Sequence, residues 1–337
     1  MFRRILAAVV ILGLAAALLV FAWPQLFGLQ TFAGVAQIVA LRGAAVAAVF
    51  LVLILLVLLA LAIPATRRFM SSLAIVCLAF VVLSSVVIAS RGIGATAFET
   101  ANESDVTVLS WNTLGDAPGA QAVADLAVET GADIVVLPET TSEFGIEAAA
   151  LMTAAGSPVA PLTYAYDVVS KARSTTVLIS TELGGYKFDH DTRTTSTLPT
   201  LVAEPADGKG PTIIAVHAVA PIPGELRNWR ADLAWLSDAC AGENVIMAGD
   251  FNATIDHMAG LGTTRDETLG SCVDAALATD NAAVGTWPTT LPALAGSPID
   301  HVMQTSNWRV SGFRVIETHD KFGSDHRPVV AQLSPAG

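Results

Sequence analysis

The pattern of hydrophobic and polar residues divides the chain into two parts. The first 98 residues contain no acidic residue, and they include three long runs without any charge, at 5–23, 44–63 and 69–90. A helix of about 20 apolar residues is long enough to cross the roughly 30 Å hydrocarbon core of a bilayer. The pattern therefore predicts a membrane domain at residues 1–92 with three transmembrane helices, at about 5–23, 44–63 and 69–90.

The first apolar run admits a second interpretation. Arg3 and Arg4 precede it and it ends at Phe21 and Ala22, which resembles the layout of a cleaved signal peptide. The poor cleavage signal and the two further apolar runs favour a retained helix. Residues 31–41, between the first two runs, are interpreted as a re-entrant or interfacial segment.

Six arginines in this part lie on two sides of the predicted membrane. The side of the N-terminus carries four of them: Arg3, Arg4, Arg67 and Arg68. The other side carries Arg42 and Arg91. Because cytoplasmic segments are enriched in basic residues, this distribution predicts that the C-terminal part lies outside the cytoplasm. A cytoplasmic C-terminal part is the alternative.

The rest of the chain is strongly acidic. Twelve of the 18 basic residues and all 30 acidic residues lie after residue 98, which gives this part a net charge of −18. Such a charge repels polyanions at long range and counts against tight, non-specific nucleic-acid binding. A polar linker is predicted at residues 93–104 and a single domain at 105–335.

Cysteine usage leaves two possibilities open. Cys77 lies in the third apolar run, whereas Cys240 and Cys272 lie in the acidic domain. An extracytoplasmic pair can form a disulfide, and two free buried thiols are the alternative.

Within the acidic domain, short apolar runs of strand type repeatedly end at a polar residue. Four such runs, each with the polar residue that follows, are 106–111 with Asn112, 133–137 with Glu139, 212–216 with His217 and 244–248 with Asp250. Further strands are predicted at 176–179, 198–203, 299–303 and 329–333, and helices at 120–130 and 226–239. Alternation of strands and helices predicts a layered α/β domain with chemistry at the strand ends.

Two motifs carry most of the chemical signal. Residues 248–253 are Ala-Gly-Asp-Phe-Asn-Ala, and residues 323–328 are Gly-Ser-Asp-His-Arg-Pro. Carboxylates bind hard cations, an amide orients an oxygen and an imidazole moves a proton, which are the requirements of metal-assisted phosphoester hydrolysis. Any one of these residues alone is more typical of a turn, a solvated acid or a packed histidine. Their repetition in one positional role favours an active site.

These residues resemble the endonuclease/exonuclease/phosphatase superfamily, which includes pancreatic-type deoxyribonuclease, abasic-site endonucleases, neutral sphingomyelinases and inositol-polyphosphate phosphatases. The resemblance covers essentially all of residues 105–335. It rests on Trp111-Asn112-Thr113, Leu137-Pro138-Glu139, Val216-His217, Gly249-Asp250-Phe251-Asn252, Ile299-Asp300-His301 and Ser324-Asp325-His326-Arg327-Pro328. It implies a four-layer α/β sandwich, in which two mixed β-sheets are flanked by helices and follow the three transmembrane helices.

The resemblance also implies roles for individual residues. The implied metal ligands, for Mg²⁺ or alternatively Mn²⁺, are Asn112, Glu139 and Asp325. The implied catalytic residues are His217, Asp250, Asn252, Asp300 and His326, of which Asn252 and His217 also bind the substrate phosphate. Asp300 is expected to orient His326, while the general base is either Asp250 or His326. His301 is expected to support the site.

The sequence departs from the nucleases of this family around His217. Residues 215–221 are Ala-Val-His-Ala-Val-Ala-Pro in place of the nucleases' Asn-Thr-His-Leu, and no basic cluster lies between Glu139 and Tyr164. The expected function is a membrane-anchored, metal-dependent hydrolase of phosphate esters, of phosphodiesterase, phosphatase or nuclease type. The substrate is a lipid head group, a small ester or nucleic acid, and no protein partner is inferred.

Two alternatives remain, an extracellular DNA or RNA nuclease that scavenges phosphate and a catalytically silent interaction module. The other histidines, His190, His257 and His319, are expected at the surface or in loops.

Overall fold

Three long apolar helices precede an α/β domain. The computed structural model describes residues 2–94, 96–167 and 169–336. The long helices are α1 (Phe2–Ala22), α3 (Arg42–Ala62) and α4 (Arg67–Arg91), and the short helix α2 (Val35–Ala40) lies between the first two. By length and composition each long helix is able to cross a membrane. They lie where the uncharged runs predict helices.

The α/β domain contains twelve strands and four helices within the described residues. The strands are β1 (Val106–Ser110), β2 (Ile134–Pro138), β3 (Val159–Ala165), β4 (Ser174–Ser180), β5 (Tyr186–Lys187), β6 (Leu201–Pro205), β7 (Thr212–His217), β8 (Val245–Asp250), β9 (Val273–Asp274), β10 (Asp300–Gln304), β11 (Trp308–Val315) and β12 (Val329–Pro335). The helices are α5 (Ala120–Thr130), α6 (Ser142–Ala154), α7 (Leu226–Ala239) and α8 (Ala275–Ala278).

The strands form two six-stranded sheets, with the order β11-β12-β1-β2-β4-β3 in one and β5-β6-β7-β8-β10-β9 in the other. Each sheet contains one parallel pair, β1 with β2 and β7 with β8, among antiparallel neighbours. Helices α5 and α6 pack on the outer face of the first sheet and α7 on that of the second. The expected four-layer α/β sandwich with two mixed sheets is therefore confirmed.

The alternation of side chains along the strands explains the layers. Successive residues of a strand point to opposite faces, so Val108 faces the second sheet whereas Leu109 faces the helices. On α7, Trp229, Leu233 and Leu236 recur at helical spacing and bury one face. This packing fixes both sheets against their helices and leaves one edge of the sandwich for polar side chains.

The two parallel pairs bring their carboxyl ends to that edge. Asn112 follows β1, Glu139 follows β2, and His217 and Asp250 are the last residues of β7 and β8. Strand β10 runs antiparallel to β8 and begins at Asp300, which is paired directly with Asp250. The strand order therefore gathers residues that are far apart in the sequence.

Three elements of the first sheet layer were not predicted, namely α6, β3 and β11. Strands β3 and β11 are the two edges of that sheet, and both have interrupted patterns of buried residues. β3 contains Pro161, and the pairing of β11 shifts between Val310 and Gly312. Edge strands bury less side-chain surface, so their hydrophobic pattern is weak.

Cys240 and Cys272 form a disulfide, with Cα atoms 5.9 Å apart. This settles the alternative that the sequence left open. The disulfide closes a segment of 32 residues that contains β8 and the loop after it. Cys77 is a buried free cysteine in α4.

Candidate active site

Asn112 links two of the expected site carboxylates. Its Nδ2 atom donates to Glu139 Oε1 at 3.2 Å and to Asp250 Oδ2 at 3.1 Å. Its Oδ1 atom accepts a hydrogen bond from the Leu114 backbone N–H at 3.0 Å. In this arrangement Asn112 aligns the two carboxylates, and its own oxygen is occupied by the backbone of the following turn.

The turns that carry Glu139 and Asn252 have unusual backbone conformations. Glu139 has φ +56° and Asn252 has φ +48°, both in the left-handed region. A non-glycine residue in such a region costs on the order of 1 to 3 kcal/mol, which the surrounding structure must offset. The Thr113 hydroxyl donates to the Glu139 carbonyl at 2.9 Å, and the Asn252 N–H donates to Asp250 Oδ1 at 2.8 Å. Local hydrogen bonds thus hold both turns in place.

Gly249 permits the close approach of β7 and β8. It has φ +142°, and a Cβ atom at this position would lie 2.0 Å from the carbonyl oxygen of Val216. No other residue fits here without a shift of the backbone. The glycine therefore places Asp250 directly beside His217, its partner in the register of the two strands.

His326 is held by a carboxylate on one side and faces other carboxylates on the other. Its Nδ1 lies 2.8 Å from Asp300 Oδ2, while its Nε2 lies 3.8 Å from Asp250 Oδ2 and 4.0 Å from Asp325 Oδ1. Because a carboxylate only accepts hydrogen bonds, Nδ1 carries a proton and Nε2 faces the site. Asp300 therefore orients the ring, as the sequence predicted.

Burial and neighbouring charges shift the titrating groups of the site. Burial opposes protonation of His326, but the carboxylates of Asp300 and Asp250 outweigh it and raise the pKa of the imidazole. For the carboxyls of Asp250 and Glu139 burial acts in the other direction, because it opposes ionisation and raises the pKa. His217 is different, because burial lowers its pKa to about 3 and leaves the ring neutral.

His217 lies beside Glu139. Its Nε2 is 3.9 Å from Glu139 Oε1, and its backbone N–H donates to the Thr200 hydroxyl at 3.0 Å. Within the described residues its buried Nδ1 has no hydrogen-bond partner. A neutral imidazole in this place can donate one hydrogen bond to an incoming oxygen atom.

Asn252 and Asp325 complete the expected set. Asn252 Nδ2 donates to Asp250 Oδ2 at 3.1 Å and to the Ala218 carbonyl at 2.9 Å, so it also orients Asp250. Asp325 Oδ2 accepts from Trp287 Nε1 at 2.8 Å. The structure thus brings all eight residues to one edge of the sandwich.

Six of the eight line a pocket of about 420 Å³, namely Glu139, His217, Asp250, Asn252, Asp325 and His326. Its other walls are mostly apolar and include residues from both parts of the chain: Gln37, Ala40, Leu41, Leu114, Leu198, Ala220, Pro221, Ile222, Trp287, Ser297 and Ile299. Across the described part of the chain, no lysine or arginine lines this pocket. The polar end of the pocket is therefore dominated by carboxylates.

This set of donors fits a hard divalent cation. Asp300 Oδ1 and Asp325 Oδ1 are buried without a hydrogen-bond partner among the described residues. Asp250, Asp300 and His326 can each place one ligand atom within 4.8 Å of the others. Oxygen-rich sites of this kind suit Mg²⁺ and Mn²⁺. A bound cation would offset the repulsion between these carboxylates and a phosphate, which no lysine or arginine of the pocket offsets among the described residues.

Several residues that hold the site were not predicted from the sequence. The Trp111 indole N–H donates to the His326 carbonyl at 2.9 Å, and the Ser324 hydroxyl accepts from the His326 N–H at 3.0 Å. Both residues belong to motifs quoted from the sequence but were given no role there, and their place in those motifs is the signal that could have identified them. Trp287 and Leu41 lie far from any motif, and no local pattern marks them.

The expectation for the other histidines is confirmed in part. His301 is buried and bridges Asp274 Oδ2 at 2.7 Å and the Ala253 carbonyl at 2.8 Å, which supports the loop after β8. His257 lies in the loop after β8, one of the two expected locations, but it is buried there, since it is 1% exposed and its Nε2 lies 3.1 Å from the Ala36 carbonyl. Its partner comes from the N-terminal part of the chain, which no local pattern reveals.

Comparison with known proteins agrees with this geometry. A model of the Endonuclease/Exonuclease/phosphatase family matches residues 109–326. A comparison with curated proteins finds no match. Among solved structures, D. rerio TDP2 complexed with a single-strand DNA product is 18% identical, covers 69% of this chain and all of its own, and has a TM-score of 0.53.

Two bacterial structures are similar to the same extent. An endonuclease/exonuclease/phosphatase from Bacteroides vulgatus is 15% identical, covers 69% of this chain and 100% of its own, and has a TM-score of 0.51. One from Beutenbergia cavernae is 18% identical, with 70% and 72% covered and a TM-score of 0.50. At identities this low, the structural similarity establishes a shared fold and no more.

Proposed function

We propose that this chain, which belongs to the endonuclease/exonuclease/phosphatase family, is a membrane-integral hydrolase of phosphate esters that uses Mg²⁺ or Mn²⁺. Enzymes of this family are phosphoesterases. The observation that carries the proposal is the single pocket in which Glu139, Asp250 and His326 meet without any lysine or arginine among the described residues. Such a pocket needs a cation to bind phosphate and offers groups that move protons.

The cation would be held by carboxylates of the pocket. Glu139 is aligned by Asn112, and Asp325 has one oxygen without a hydrogen-bond partner among the described residues, so these two acids are the proposed ligands. When bound, the cation neutralises charge on a phosphoryl oxygen. Asn112 is proposed to position Glu139, because its oxygen accepts from Leu114.

Asp250 is the proposed general base. Burial raises the pKa of this carboxyl, which brings its proton affinity closer to that needed at neutral pH. His326 is held protonated by Asp300 and Asp250, so it cannot accept a proton itself. The water oxygen forms a bond to phosphorus and its proton moves to Asp250, while the ester P–O bond breaks and its electron pair stays on the leaving oxygen, which departs as an alkoxide or phenoxide and takes a proton from solvent.

The two histidines are proposed to bind non-bridging oxygens. His326 Nε2 lies 3.8 Å from Asp250 Oδ2. If Asp250 takes the proton of the attacking water, both groups are on the side of phosphorus from which the water would arrive. The leaving group departs from the opposite side in an in-line displacement, which leaves His326 facing an oxygen that stays on phosphorus. His217, neutral and 3.9 Å from Glu139, donates to a second such oxygen.

The proposed location is the outer face of a membrane. Arg3, Arg4 and Arg68 line one cavity at the end of the long helices away from the α/β domain. Basic residues favour the cytoplasmic side, and disulfides such as Cys240–Cys272 form in oxidising compartments. Protease accessibility in intact cells tests this orientation: the domain is cleaved if it is external, and complete protection contradicts it.

The substrate is proposed to be a small or lipid-linked ester. A net charge of −18 after residue 98 opposes long polyanions, and among the described residues the pocket offers no lysine or arginine to replace their counterions. Because similar D. rerio TDP2 holds a single-strand DNA product, a single-stranded oligonucleotide belongs among the substrates tested.

The experiment uses the full chain in lipid nanodiscs with Mg²⁺, Mn²⁺ or EDTA. The substrates are bis-p-nitrophenyl phosphate, p-nitrophenyl phosphate and the oligonucleotide. The variants are Glu139→Gln and His326→Gln, and the matched controls are Glu147→Gln and His190→Gln, whose side chains are exposed. We expect metal-dependent turnover that the two site variants lower at least about 100-fold and the controls leave unchanged. Turnover that persists in EDTA or in Glu139→Gln contradicts the proposal.

A further inference from the structure

The segment between α1 and α3 is part of the α/β domain's core. Ala36 of α2 is fully buried in the cluster that contains Trp229, Phe251 and Met258. The Ala36 carbonyl accepts from His257, whose Nδ1 in turn accepts from the Thr254 N–H at 2.9 Å. The N-terminal part of the chain therefore packs directly against residues 250–258, the catalytic loop that begins at Asp250.

A buried ionic cluster fixes this docking. Asp256 of the catalytic loop binds Arg42 at 2.8 Å and Arg91 at 2.5 and 2.7 Å, and Gln25 donates to it at 2.6 Å. The three partners lie just after α1, at the start of α3 and at the end of α4. All three long helices are thus attached to one carboxylate. A cluster of this kind holds them in one orientation relative to the loop.

The start of α3 lies tightly against the domain. A Cβ atom on Gly43 would be 1.8 Å from the carbonyl oxygen of Leu294. Leu41, one residue before α3, lines the same pocket as Glu139 and His326. The pocket therefore extends from the carboxylates to the end of an apolar helix.

Both parts of the chain contribute apolar residues to the pocket. Leu41 and Ala40 form the side from the N-terminal part, and Leu114 and Ile222 belong to the α/β domain. Leu114 and Ile222 are 45% and 54% exposed, which is unusual for large apolar residues beside a polar site. Gln37 donates to the Pro221 carbonyl and joins the two sides.

From these observations we infer that the pocket takes a phosphate ester with an alkyl chain, whose phosphate lies at the carboxylates and whose chain lies along Leu41, Leu114 and Ile222 toward α3. The inference rests on the proposed hydrolase function and names its substrate class. Each methylene that moves from water into an apolar site adds to the binding free energy, so a few such contacts produce a clear preference for the alkyl ester. The N-terminal part then does more than anchor the domain, since α2 and Leu41 supply one wall of its pocket.

The test compares two diesters with the same leaving group, methyl p-nitrophenyl phosphate and octyl p-nitrophenyl phosphate, on the full chain in nanodiscs with Mg²⁺. We expect kcat/KM for the octyl ester to exceed that for the methyl ester at least about 10-fold. A hexadecyl ester embedded in the same nanodisc shows whether the substrate comes from the membrane or from solution. Its turnover identifies a membrane lipid, and turnover of the octyl ester alone identifies a dissolved amphiphile.

Variants separate the pocket from simple partition of the ester into the bilayer. Leu41→Ser is expected to bring the octyl-to-methyl ratio close to one. Leu26→Ser, an equally polar change at a 59% exposed residue of the same segment that does not line the pocket, is expected to keep the ratio. Ala40→Phe narrows the pocket beside Leu41 without adding a polar group. It is expected to lower turnover of the octyl ester more than that of the methyl ester. If Leu41→Ser does not fold, this variant decides whether the pocket causes the octyl preference.

Binding provides a second measurement that does not depend on turnover. We expect octylphosphonate to bind at least about 10-fold more tightly than methylphosphonate with Mg²⁺ present, and Leu41→Ser to remove the difference. Equal turnover of the two esters together with equal binding overturns the inference and leaves the hydrolase function intact. If neither ester is cleaved but the binding preference is present, the hydrolase function fails and the alkyl-phosphate site stands.

Discussion

Two aspartates on the same loop are equally buried and have opposite surroundings. Asp250 is 1% exposed and Asp256 is 2% exposed. Asp250 faces Asp300 and the single cation of His326, and burial raises its pKa. Burial also opposes ionisation of Asp256, but hydrogen bonds and charge from Arg91 and Arg42 outweigh it and hold the pKa well below its usual range.

The difference distinguishes Asp250, whose carboxylate is not neutralised, from Asp256, whose ion pairs hold the long helices against the catalytic loop. Asp256 has three cationic or amide partners, Arg42, Arg91 and Gln25, which satisfy its oxygens. Asp250 is held by the amides of Asn112 and Asn252, which orient it without neutralising it. A carboxylate that stays uncompensated is available to a proton or a cation, so the two residues should respond to substitution in opposite ways.

Asp250→Asn should have the largest effect, and the effect should be on activity. We expect turnover to fall about 100- to 10,000-fold, because the amide cannot accept a proton. Stability should change by no more than about 1 kcal/mol, because the substitution removes repulsion with Asp300. Steady-state kinetics and thermal unfolding of the same sample measure both quantities. A large loss of stability with activity retained would mean that Asp250 is structural.

Asp256→Ala should act mainly on stability. It leaves two guanidinium groups buried beside the catalytic loop without a carboxylate, which costs about 3 to 5 kcal/mol. We expect the melting temperature of the full chain in nanodiscs to fall by on the order of 10 °C. Asp266→Ala, at an exposed position farther along the same segment, serves as the control and should change little.

Removal of the disulfide tests how much it stabilises the catalytic loop, which carries both aspartates. Cys240 and Cys272 enclose the catalytic loop, so a Cys240→Ser/Cys272→Ser variant should lose about 2 to 4 kcal/mol of stability. Chemical denaturation with and without reductant provides the measurement, with Cys77→Ser as the control. Equal stability of the oxidised and doubly substituted proteins would show that the sheets alone fix the loop.

The pH dependence of stability should differ between the two aspartates. Because the folded pKa of Asp250 is raised, the folded state binds more protons than the unfolded state above about pH 4, and stability falls as pH rises toward neutrality. For Asp256 the folded pKa is lowered, so its contribution is complete above about pH 4 and is lost as pH falls below that value.

In EDTA, the stability of Asp250→Asn relative to the unsubstituted protein should therefore improve by about 1 kcal/mol or more between pH 4 and 7. Asp256→Asn should be destabilised by a constant amount over the same range. Denaturation curves at several pH values decide between them. If the stability difference between Asp250→Asn and the unsubstituted protein did not change with pH, the carboxyl of Asp250 would not have a raised pKa in the folded state.

The sequence predicted most of the site because its residues follow buried strands. Continuous apolar, β-branched runs mark β1, β2, β7 and β8, and the polar residue after each run is visible locally. The same rule could not assign tasks. Asn112 and Asn252 turn out to orient Asp250, which depends on the conformation of the turns that hold them.

The docking of the N-terminal part was not predictable from local pattern. The contacts of Asp256 with Arg91 and Arg42 join residues 165 and 214 positions apart. In the sequence Asp256 is one acid in a loop, and the two arginines are features of helix ends. Only the packing of α2 on α7 and the catalytic loop brings them together, and the same packing buries His257.

The measurement that tests the account most directly is hydrolysis of methyl p-nitrophenyl phosphate in ¹⁸O-labelled water by the full chain, with Mg²⁺ and with EDTA. The account predicts turnover that requires the cation, incorporation of ¹⁸O into the methyl phosphate product and loss of this reaction in Asp250→Asn. Label in the released alcohol or phenol, or the same turnover in EDTA or in Asp250→Asn, would contradict attack of an activated water on phosphorus at this site.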